Sequence, residues 1–182
     1  LLESHGVASI GGFGRLTGEH EVTVYEESSD DSDIMGQITA PNIIWATGSV
    51  PLNPPIPRTD DEGIFTSDEA VDLPGPPDRL AIIGAGAIGC EFAYIYSQMG
   101  TDVHLVEMMD RVMPTEDPDV SDVLTSELQK LGVQICVECL CARIESEDGK
   151  KVLDIQSSVN GQATTLTADM VLLAEGRRAK TE

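Results

Sequence analysis

The stretch RLAIIGAGAIG at residues 79–89 decides the fold of this chain, because an apolar run there leads into a Gly-x-Gly-x-x-Gly turn. A helix-forming stretch follows the turn, and a second apolar run at residues 103–106 ends in Glu107. A strand, a glycine-rich turn, a helix and a second strand with a terminal acid are typical of a dinucleotide-binding unit. The alternative is a glycine-rich turn with a structural role only.

Each glycine of the turn has a distinct predicted role. Gly84 permits the tight change from strand to helix, Gly86 lets a pyrophosphate approach the backbone, and Gly89 lets the helix pack closely on the strand. The N–H groups at the start of the helix, at Ala87 and Ile88, have no partner within the helix and favour an anion. The sequence therefore predicts that the phosphates of a nucleotide lie at this helix N-terminus.

The acid that ends the second apolar run predicts the choice of cofactor. Glu107 lies about 20 residues beyond the turn, where a carboxylate accepts hydrogen bonds from the hydroxyls of the adenosine ribose. It is followed by Met108 and Met109 rather than by arginines, and Arg111 is the one nearby cation that could favour a 2′-phosphate. Because a carboxylate repels such a phosphate, we expect the site to prefer NAD to NADP.

The composition limits the partners of the chain. Its 182 residues include 32 acids against 11 Lys and Arg, which gives a formal net charge of −21. We expect such a chain to repel nucleic acid and anionic membranes. It contains no run of 18 apolar residues, so we expect no membrane span. The acids are spread along the chain, with a cluster at residues 30–33, and indicate either a solvated acidic surface or adaptation to a salty cytoplasm.

The four cysteines raise the question of redox or metal chemistry. Cys136 and Cys139 form a Cys-x-x-Cys pair within residues 133–140, which have the pattern of a strand. Residues i and i+3 of a strand face opposite sides, and a redox pair usually opens a helix. We therefore expect reduced thiols, as in a cytoplasmic protein, with no disulfide and no metal site.

Regular elements are predicted on both sides of the glycine turn. Before it, we predict strands at residues 13–17, 21–26, 37–39 and 42–46, an acidic loop at 28–33, an irregular proline-rich linker at 50–57, and a short helix at 68–72 with Ser67 as N-cap. After it, we predict a helix to Met99, a second helix after Pro118, a strand at 133–138, and antiparallel strands at 142–146, 152–158 and 163–167. The predicted helices bury two apolar stripes, one of Phe92, Ile95, Tyr96 and Met99 and one of Val120, Val123, Leu124, Leu128 and Leu131.

An internal repeat suggests how these elements are organised. A β meander, an apolar strand and Ala-x-Gly occur at residues 36–49 and again at 161–177, and only the second copy follows a glycine turn. We therefore predict an α/β chain in two parts. Residues 1–70 contain the back half of another dinucleotide-binding domain, whose glycine turn lies upstream. Residues 71–182 form a Rossmann-like FAD/NAD(P)-type domain with a three-stranded antiparallel crossover, and this domain binds NAD.

Six motifs resemble those of the pyridine nucleotide-disulfide oxidoreductases, most closely the dihydrolipoamide dehydrogenases. They are GGFGRL at 11–16, ATGS at 46–49, IIGAGAIGCEFA at 82–93, LVE at 105–107, RVMP at 111–114 and GR at 176–177. In that family an FAD domain is interrupted by an NAD(P) domain, so the resemblance implies that residues 1–70 are an incomplete β portion of the FAD domain. Hydride passes between NAD and flavin, and the flavin exchanges electrons with a redox-active disulfide that oxidises dihydrolipoamide.

The resemblance assigns cofactor contacts to particular residues. The residues that it places at NAD are Gly84, Gly86, Ala87, Ile88, Gly89, Glu91, Glu107 and Gly176. Glu91 matches the family's acid near the nicotinamide ribose and carboxamide, with a solvated helix acid as the alternative. Thr47, Gly48 and Ser49 would contact FAD only in a longer parent enzyme.

The sequence departs from the family pattern in the parts that carry catalysis. None of the four cysteines takes the position of the redox-active disulfide, and the family's first glycine turn and its His-Glu pair have no counterpart. We therefore expect no catalytic residue here, and a chain that binds NAD but is inactive alone. The resemblance implies a cytoplasmic, homodimeric parent that uses FAD and NAD. Its substrate would be dihydrolipoamide on a 2-oxo acid dehydrogenase complex or a glycine cleavage protein. The alternatives are the NAD-binding part of another flavoprotein disulfide reductase or NADH oxidase, and a stand-alone nucleotide-binding module.

Overall fold

The computed structural model describes residues 2–26, 33–59 and 62–181, and the chain divides into two compact units between Thr47 and Gly48. This division precedes the predicted boundary at residue 70. The reason is that strand β5 (Ile64–Thr66) pairs within the second unit, and helix α1 (Ser67–Ala70) packs on it. The assignment of the two parts to FAD and NAD stays a prediction. Most of the predicted acidic loop, residues 28–32, lies outside the described residues.

The first unit is an antiparallel meander that follows a short 3-10 turn at Glu3–His5. Its strands are β1 (Phe13–Gly18), β2 (Glu21–Tyr25) and β3 (Ile34–Thr39), and they pair in that order. The last three residues of β2 are buried, and the exposed positions lie on the flanking strands. The strands predicted at residues 13–17 and 21–26 are confirmed, and the third strand begins earlier than predicted.

The strand predicted at residues 42–46 is wrong. These residues have no regular structure, and the Ile44 side chain is 90% exposed. No described strand of the first unit pairs with this segment. An apolar run is stable as a strand only where neighbours supply hydrogen bonds and cover its side chains. The repeat therefore holds for the meander, but not for the apolar strand after its first copy.

A parallel sheet forms the centre of the second unit. Besides β5, it contains β6 (Arg79–Ile83), β7 (Asp102–Val106), β8 (Gln134–Cys136) and β12 (Met170–Leu173). The strands lie in the order β5-β12-β6-β7-β8, and every pair is parallel. Helix α2 (Ala87–Gln98) connects β6 to β7, and helix α3 (Pro118–Lys130) connects β7 to β8. No helix in the described ranges is long and apolar enough to cross a membrane.

The predicted antiparallel crossover is confirmed. It consists of β9 (Cys139–Glu147), β10 (Lys150–Ser157) and β11 (Ala163–Ala168), which form a separate three-stranded sheet. The turn from β9 to β10 places Asp148 and Gly149 at φ values of 49° and 76°, the left-handed conformation that a tight Asp-Gly hairpin requires.

The parallel sheet is covered on both faces, because successive residues of a strand point to opposite sides. Leu80 and Ile82 of β6 belong to the cluster that packs against α2 and α3. Ala81 and Ile83 belong to the cluster formed with the crossover. All four are essentially inaccessible to solvent. This double coverage explains why β6 is a continuous apolar run.

The predicted apolar stripes of the two helices are wrong at several positions. Ile95 of α2, Met99 just after it, and Val120 and Val123 of α3 are exposed. The buried face of α2 consists instead of Gly89, Cys90, Ala93 and Tyr96, and α3 buries Ser121 and Leu128. Small side chains allow close approach to the sheet, so the inner faces combine small residues with Tyr96 and Leu128, the two positions of the predicted stripes that are buried.

Two local predictions also require correction. The proline-rich linker is not wholly irregular, because β4 (Ser49–Pro51) pairs with β13 (Arg177–Ala179). Proline is tolerated there because this short pair has no neighbour on either side in the described sheet. The short helix is capped by Thr66 rather than by Ser67, because Thr66 and Glu69 form a reciprocal capping box.

Candidate functional site

A pocket of about 580 Å³ opens at the carboxyl ends of β6, β7 and β12. In parallel α/β sheets, ligands bind at this edge. Six of the predicted cofactor residues line it, namely Gly84, Gly86, Ala87, Ile88, Glu107 and Gly176. The fold therefore brings the glycine turn, the acid after β7 and the turn after β12 to one place.

The glycine turn is shaped by close packing on one side and open space on the other. Gly84 has a φ of 101°, and a Cβ there would lie 2.6 Å from the carbonyl oxygen of Ala174. A Cβ on Gly89 would overlap the carbonyl oxygen of Gly84. A Cβ on Gly86 would meet no atom within 4 Å. Gly84 and Gly89 are thus required for packing, whereas Gly86 leaves an open cradle beside the backbone.

The cradle adjoins the start of α2. Gly86 is the N-cap residue, and its carbonyl oxygen accepts the first helical hydrogen bond, from the N–H of Cys90 at 3.0 Å. The preceding N–H groups of the helix, including those of Ala87 and Ile88, have no carbonyl within the helix to receive them. Because Gly86 has no side chain that could cap them, these donors and the positive end of the helix dipole are available to an anion.

Glu107 is a buried acid with a fixed carboxylate. Glu107 directly follows the last residue of β7 and is only 7% exposed to solvent. One carboxylate oxygen accepts the N–H of Ala85 at 2.7 Å, and the other accepts the N–H of Met109 at 2.8 Å. Each carboxylate oxygen has two lone pairs, so both can accept a further hydrogen bond from a ligand. The acid is therefore held against the glycine turn with acceptor capacity toward the pocket.

A second acid lines the same pocket. Burial and the negative charge of Glu107 both raise the pKa of the Glu175 carboxyl above its usual value. Glu175 follows β12, just as Glu107 follows β7. The two carboxylates make this end of the pocket unfavourable for an additional anionic group.

The cations near the pocket are engaged elsewhere. Among the described residues that line it, Arg177 is the one cation, and it donates to Ser49 Oγ at 2.8 Å and to Asp68 Oδ1 at 2.6 Å. Arg111 lies outside the lining and donates to the carbonyl oxygen of Pro114 at 3.1 Å. Neither guanidinium is directed by these contacts toward the acids of the pocket.

Several predicted site residues lie outside the pocket. Gly89 packs beneath the glycine turn, and Glu91 is exposed on α2, beside a separate apolar depression. Thr47 belongs to the first unit, whereas Gly48 and Ser49 belong to the second. The roles predicted for these residues, including the FAD contacts, stay predictions.

The sequence analysis missed part of the lining. The additional polar or sulfur-containing residues are Met108, Cys139, Cys141, Glu175 and Arg177. Met108 and Glu175 stand just beyond the carboxyl ends of β7 and β12, and that position alone could have identified them. No group of three His, Cys, Asp or Glu that could hold a metal ion occurs among the described residues.

The prediction that Cys136 and Cys139 are reduced is wrong. The structure joins them by a disulfide, with Cα atoms 5.8 Å apart, whereas Cys90 and Cys141 are free and buried. The two cysteines do not share one strand: β8 ends at Cys136, Glu138 takes a left-handed φ of 52°, and β9 begins at Cys139. The chain reverses between them, so the rule that alternates faces along a strand does not apply.

The family described as pyridine nucleotide-disulphide oxidoreductase matches residues 1–182. The chain belongs to this family. It is 33% identical over its whole length to a dihydrolipoyl dehydrogenase of Acholeplasma laidlawii, of which it covers 51%. Over 84% of its length it is 35% identical to a mercuric reductase of Staphylococcus aureus, of which it covers 28%. The chain thus spans about half or less of these relatives.

A solved structure supports the predicted fold class. The HOCl-induced flavoprotein disulfide reductase RclA from Escherichia coli is similar to this chain with a TM-score of 0.73 and 26% sequence identity. The similarity covers 97% of this chain and 38% of that one. The predicted α/β architecture is therefore confirmed, together with the resemblance that the motifs indicated.

Proposed function

We propose that this chain binds NAD(H) in the pocket at the carboxyl ends of β6, β7 and β12. The observation that carries the proposal is the fixed Glu107 carboxylate beside the open cradle at Gly86. An anion cradle at a helix N-terminus and a ribose acceptor at the end of the next strand are the two recognition elements of an adenine dinucleotide.

The residues of the pocket have separate tasks in this proposal. The N–H groups of Ala87 and Ile88 would hold the pyrophosphate, and Glu107 would accept hydrogen bonds from the hydroxyls of the adenosine ribose. Gly176, at the turn after β12, borders the same space. When bound, NAD supplies a nicotinamide that exchanges a hydride with a flavin. The protein contributes the position and orientation of the cofactor.

Electrostatics supports NAD over NADP. The extra phosphate of NADP would lie beside Glu107 and close to Glu175, whose pKa is raised by desolvation and by the charge of Glu107. Arg177, which could offset that repulsion, is paired with Asp68. Like charges at hydrogen-bonding distance in a partly buried site oppose binding strongly.

Titration of the chain with NADH and with NADPH tests the proposal. We expect tighter binding of NADH, and a Glu107→Gln variant should lose most of this preference because the carboxylate charge is gone. The matched control is Glu127→Gln, which removes the same charge from the exposed surface of α3. Equal affinity of the unaltered chain for both nucleotides would show that Glu107 does not occupy the ribose position.

The parent activity that the relatives favour is an FAD-dependent dihydrolipoamide dehydrogenase, with this chain as its NAD-binding portion. Thr47, Gly48 and Ser49 would contact FAD in that longer, homodimeric enzyme. Its substrate would be dihydrolipoamide on a 2-oxo acid dehydrogenase complex or a glycine cleavage protein. A cytoplasmic location stays a prediction. A second candidate, another flavoprotein disulfide reductase, is favoured by the similarity to mercuric reductase and to RclA.

The activity of the isolated chain distinguishes a portion of an enzyme from a whole one. We expect the purified chain to be colourless and, even with added FAD, to produce no NADH from NAD and dihydrolipoamide. Stoichiometric flavin in the preparation, or NADH formation, would contradict this expectation. In a longer protein that contains this chain, NADH formation from dihydrolipoamide would favour the first candidate over the second.

A further inference from the structure

The Cys136–Cys139 disulfide lies at the edge of the dinucleotide pocket. It closes a short loop between the last residue of β8 and the first residue of β9, and Cys139 lines the pocket while Cys136 does not. Cys136 is partly accessible to solvent, whereas Cys139 is buried. Of the two residues, Cys136 is thus the less shielded from a soluble reductant.

Three backbone hydrogen bonds connect this loop to the segment that carries the acid of the pocket. The N–H of Glu107 donates to the carbonyl oxygen of Cys136 at 2.8 Å, and the N–H of Cys139 donates to that of Glu107 at 2.9 Å. The N–H of Glu138 donates to the carbonyl oxygen of Met109 at 2.7 Å. The backbone of Glu107 is thus held on both sides by the residues that the disulfide joins.

The contacts continue from Glu107 to the glycine turn. Its carboxylate accepts hydrogen bonds from the N–H groups of Ala85 and Met109. A shift of the loop that moves Glu107 would therefore also disturb Ala85, which precedes Gly86 in the glycine turn. A bond that closes a short loop restricts its conformations, and its loss permits local opening of the hydrogen bonds around it. Opening here would displace the carboxylate that faces the ribose.

We propose that the Cys136–Cys139 disulfide positions Glu107, and that its reduction by a dithiol weakens the binding of NAD(H). This inference rests on the proposed function of the pocket. The disulfide differs from the redox-active disulfide that the family resemblance implies, because none of these cysteines takes that position. The site therefore responds to the thiol–disulfide state of its surroundings through the ribose acceptor.

The redox step is a thiol–disulfide exchange with a soluble dithiol. A thiolate of the dithiol attacks Cys136 Sγ, the bond to Cys139 Sγ breaks, and Cys139 leaves as a thiolate that takes up a proton. The second thiol of the dithiol gives up its proton and displaces Cys136, which becomes a thiol. The dithiol is oxidised to its own disulfide, and the protein gains two thiols.

The other two cysteines do not interfere with this exchange. Burial raises the pKa of the Cys90 thiol and of the Cys141 thiol to about 11. At neutral pH both are protonated and poorly nucleophilic. The effect of a dithiol can therefore be assigned to Cys136 and Cys139.

The test measures NADH affinity of the 182-residue chain before and after treatment with dithiothreitol. Alkylation of the denatured, untreated protein should modify two of its four cysteines and, after reduction, all four. We expect reduction to weaken NADH binding about fivefold, within the range for coupled neighbours in one hydrogen-bonded network. A Cys136→Ala variant cannot form the disulfide, so it should show the weaker affinity with or without dithiothreitol. This variant is chosen because it retains the pocket-lining Cys139.

A Glu107→Gln background separates positioning from a general structural effect. There, reduction should change NADH affinity by less than about twofold, because the carboxylate that the disulfide positions has been removed. A full fivefold loss in that background would overturn the route through Glu107. If Cys136→Ala does not fold, the dithiothreitol comparison on the unaltered chain still decides the question.

The outcomes distinguish this inference from the proposed function. NADH binding that is equally tight in the oxidised and reduced chain would overturn the positioning role and leave the NAD site intact. No NADH binding in either state would overturn both. Four alkylated cysteines in the untreated protein would show that the disulfide does not form, and would overturn the inference alone.

Discussion

The Gly86→Ala substitution should weaken NADH binding while leaving the fold of the chain intact. Gly86 has φ −74° and ψ −170°, which any residue adopts, and a Cβ there would meet no protein atom within 4 Å. The new methyl group would instead occupy the space beside the N-terminus of α2 that the pyrophosphate needs. The perturbation therefore acts on the complex and not on the free protein.

The expected magnitudes follow from this geometry. Forcing an extra methyl group into a close contact costs roughly 1–3 kcal/mol, which corresponds to a loss of affinity of roughly 5- to 150-fold. For the free protein, alanine is a poorer N-cap than glycine by up to about 1 kcal/mol. Alanine also lowers the backbone entropy of the unfolded chain, which stabilises the folded chain by about 0.4–1 kcal/mol. The two terms nearly cancel, so Tm should move by no more than about 4 °C.

Calorimetric titration with NADH and thermal unfolding, applied to three variants, measure both quantities. Gly75→Ala is the matched control, because a Cβ at this exposed position meets nothing within 4 Å and the residue lies away from the pocket lining. It should change neither affinity nor Tm. In Gly89→Ala the Cβ would overlap the carbonyl oxygen of Gly84, so Tm should fall by roughly 2–12 °C for a cost of about 1–3 kcal/mol.

One pattern of results would refute this reasoning. If Gly86→Ala bound NADH as tightly as the unaltered chain, the pyrophosphate would not approach the Gly86 backbone, and the cradle would have to be abandoned as its site. A large fall in Tm for Gly86→Ala would instead show that the open space beside the residue is needed for folding.

Three further predictions concern stability and reactivity. A hydrogen bond from Lys150 holds the pKa of the Asp169 carboxyl below its usual value, so its stabilising effect is present above about pH 4 and is lost as pH falls through the lowered pKa. In urea unfolding at a series of pH values, Asp169→Asn should be less stable than the unaltered chain near neutral pH, and the gap should close in acid; a constant gap would contradict this. In the folded chain, iodoacetamide should leave Cys90 and Cys141 unmodified at neutral pH and label them as pH approaches about 11, and rapid neutral labelling would contradict their burial. Thr66→Ala should lower the free energy of unfolding by about 1 kcal/mol through loss of the capping box, and an unchanged urea midpoint would show that α1 does not need its cap.

The sequence was sufficient to predict the fold of the front half of the second unit. The glycine turn, the two apolar strands around it and the two hairpin turns of the crossover are local signals, because each depends on residues close together in the chain. Gly84 and Gly176 both line the pocket, because the ends of parallel strands meet at one edge, and their contacts with NAD stay a prediction. The strand predicted at residues 42–46 was wrong because a strand also needs neighbouring strands to pair with, and the local sequence does not show whether they are present.

The sequence by itself determined the glycine turn, the two hairpin turns of the crossover, and that Glu107 stands at the end of the second strand. Only the tertiary structure showed that Arg177 is paired with Asp68, and that Cys136 and Cys139 meet across a reversal of the chain. The physical reason is that periodicity and turn chemistry act over a few residues. Arg177 and Asp68 lie far apart in the chain and meet only when it is packed. Cys136 and Cys139 are close in sequence, but the reversal at Glu138 that brings their thiols together has no turn residue to predict it.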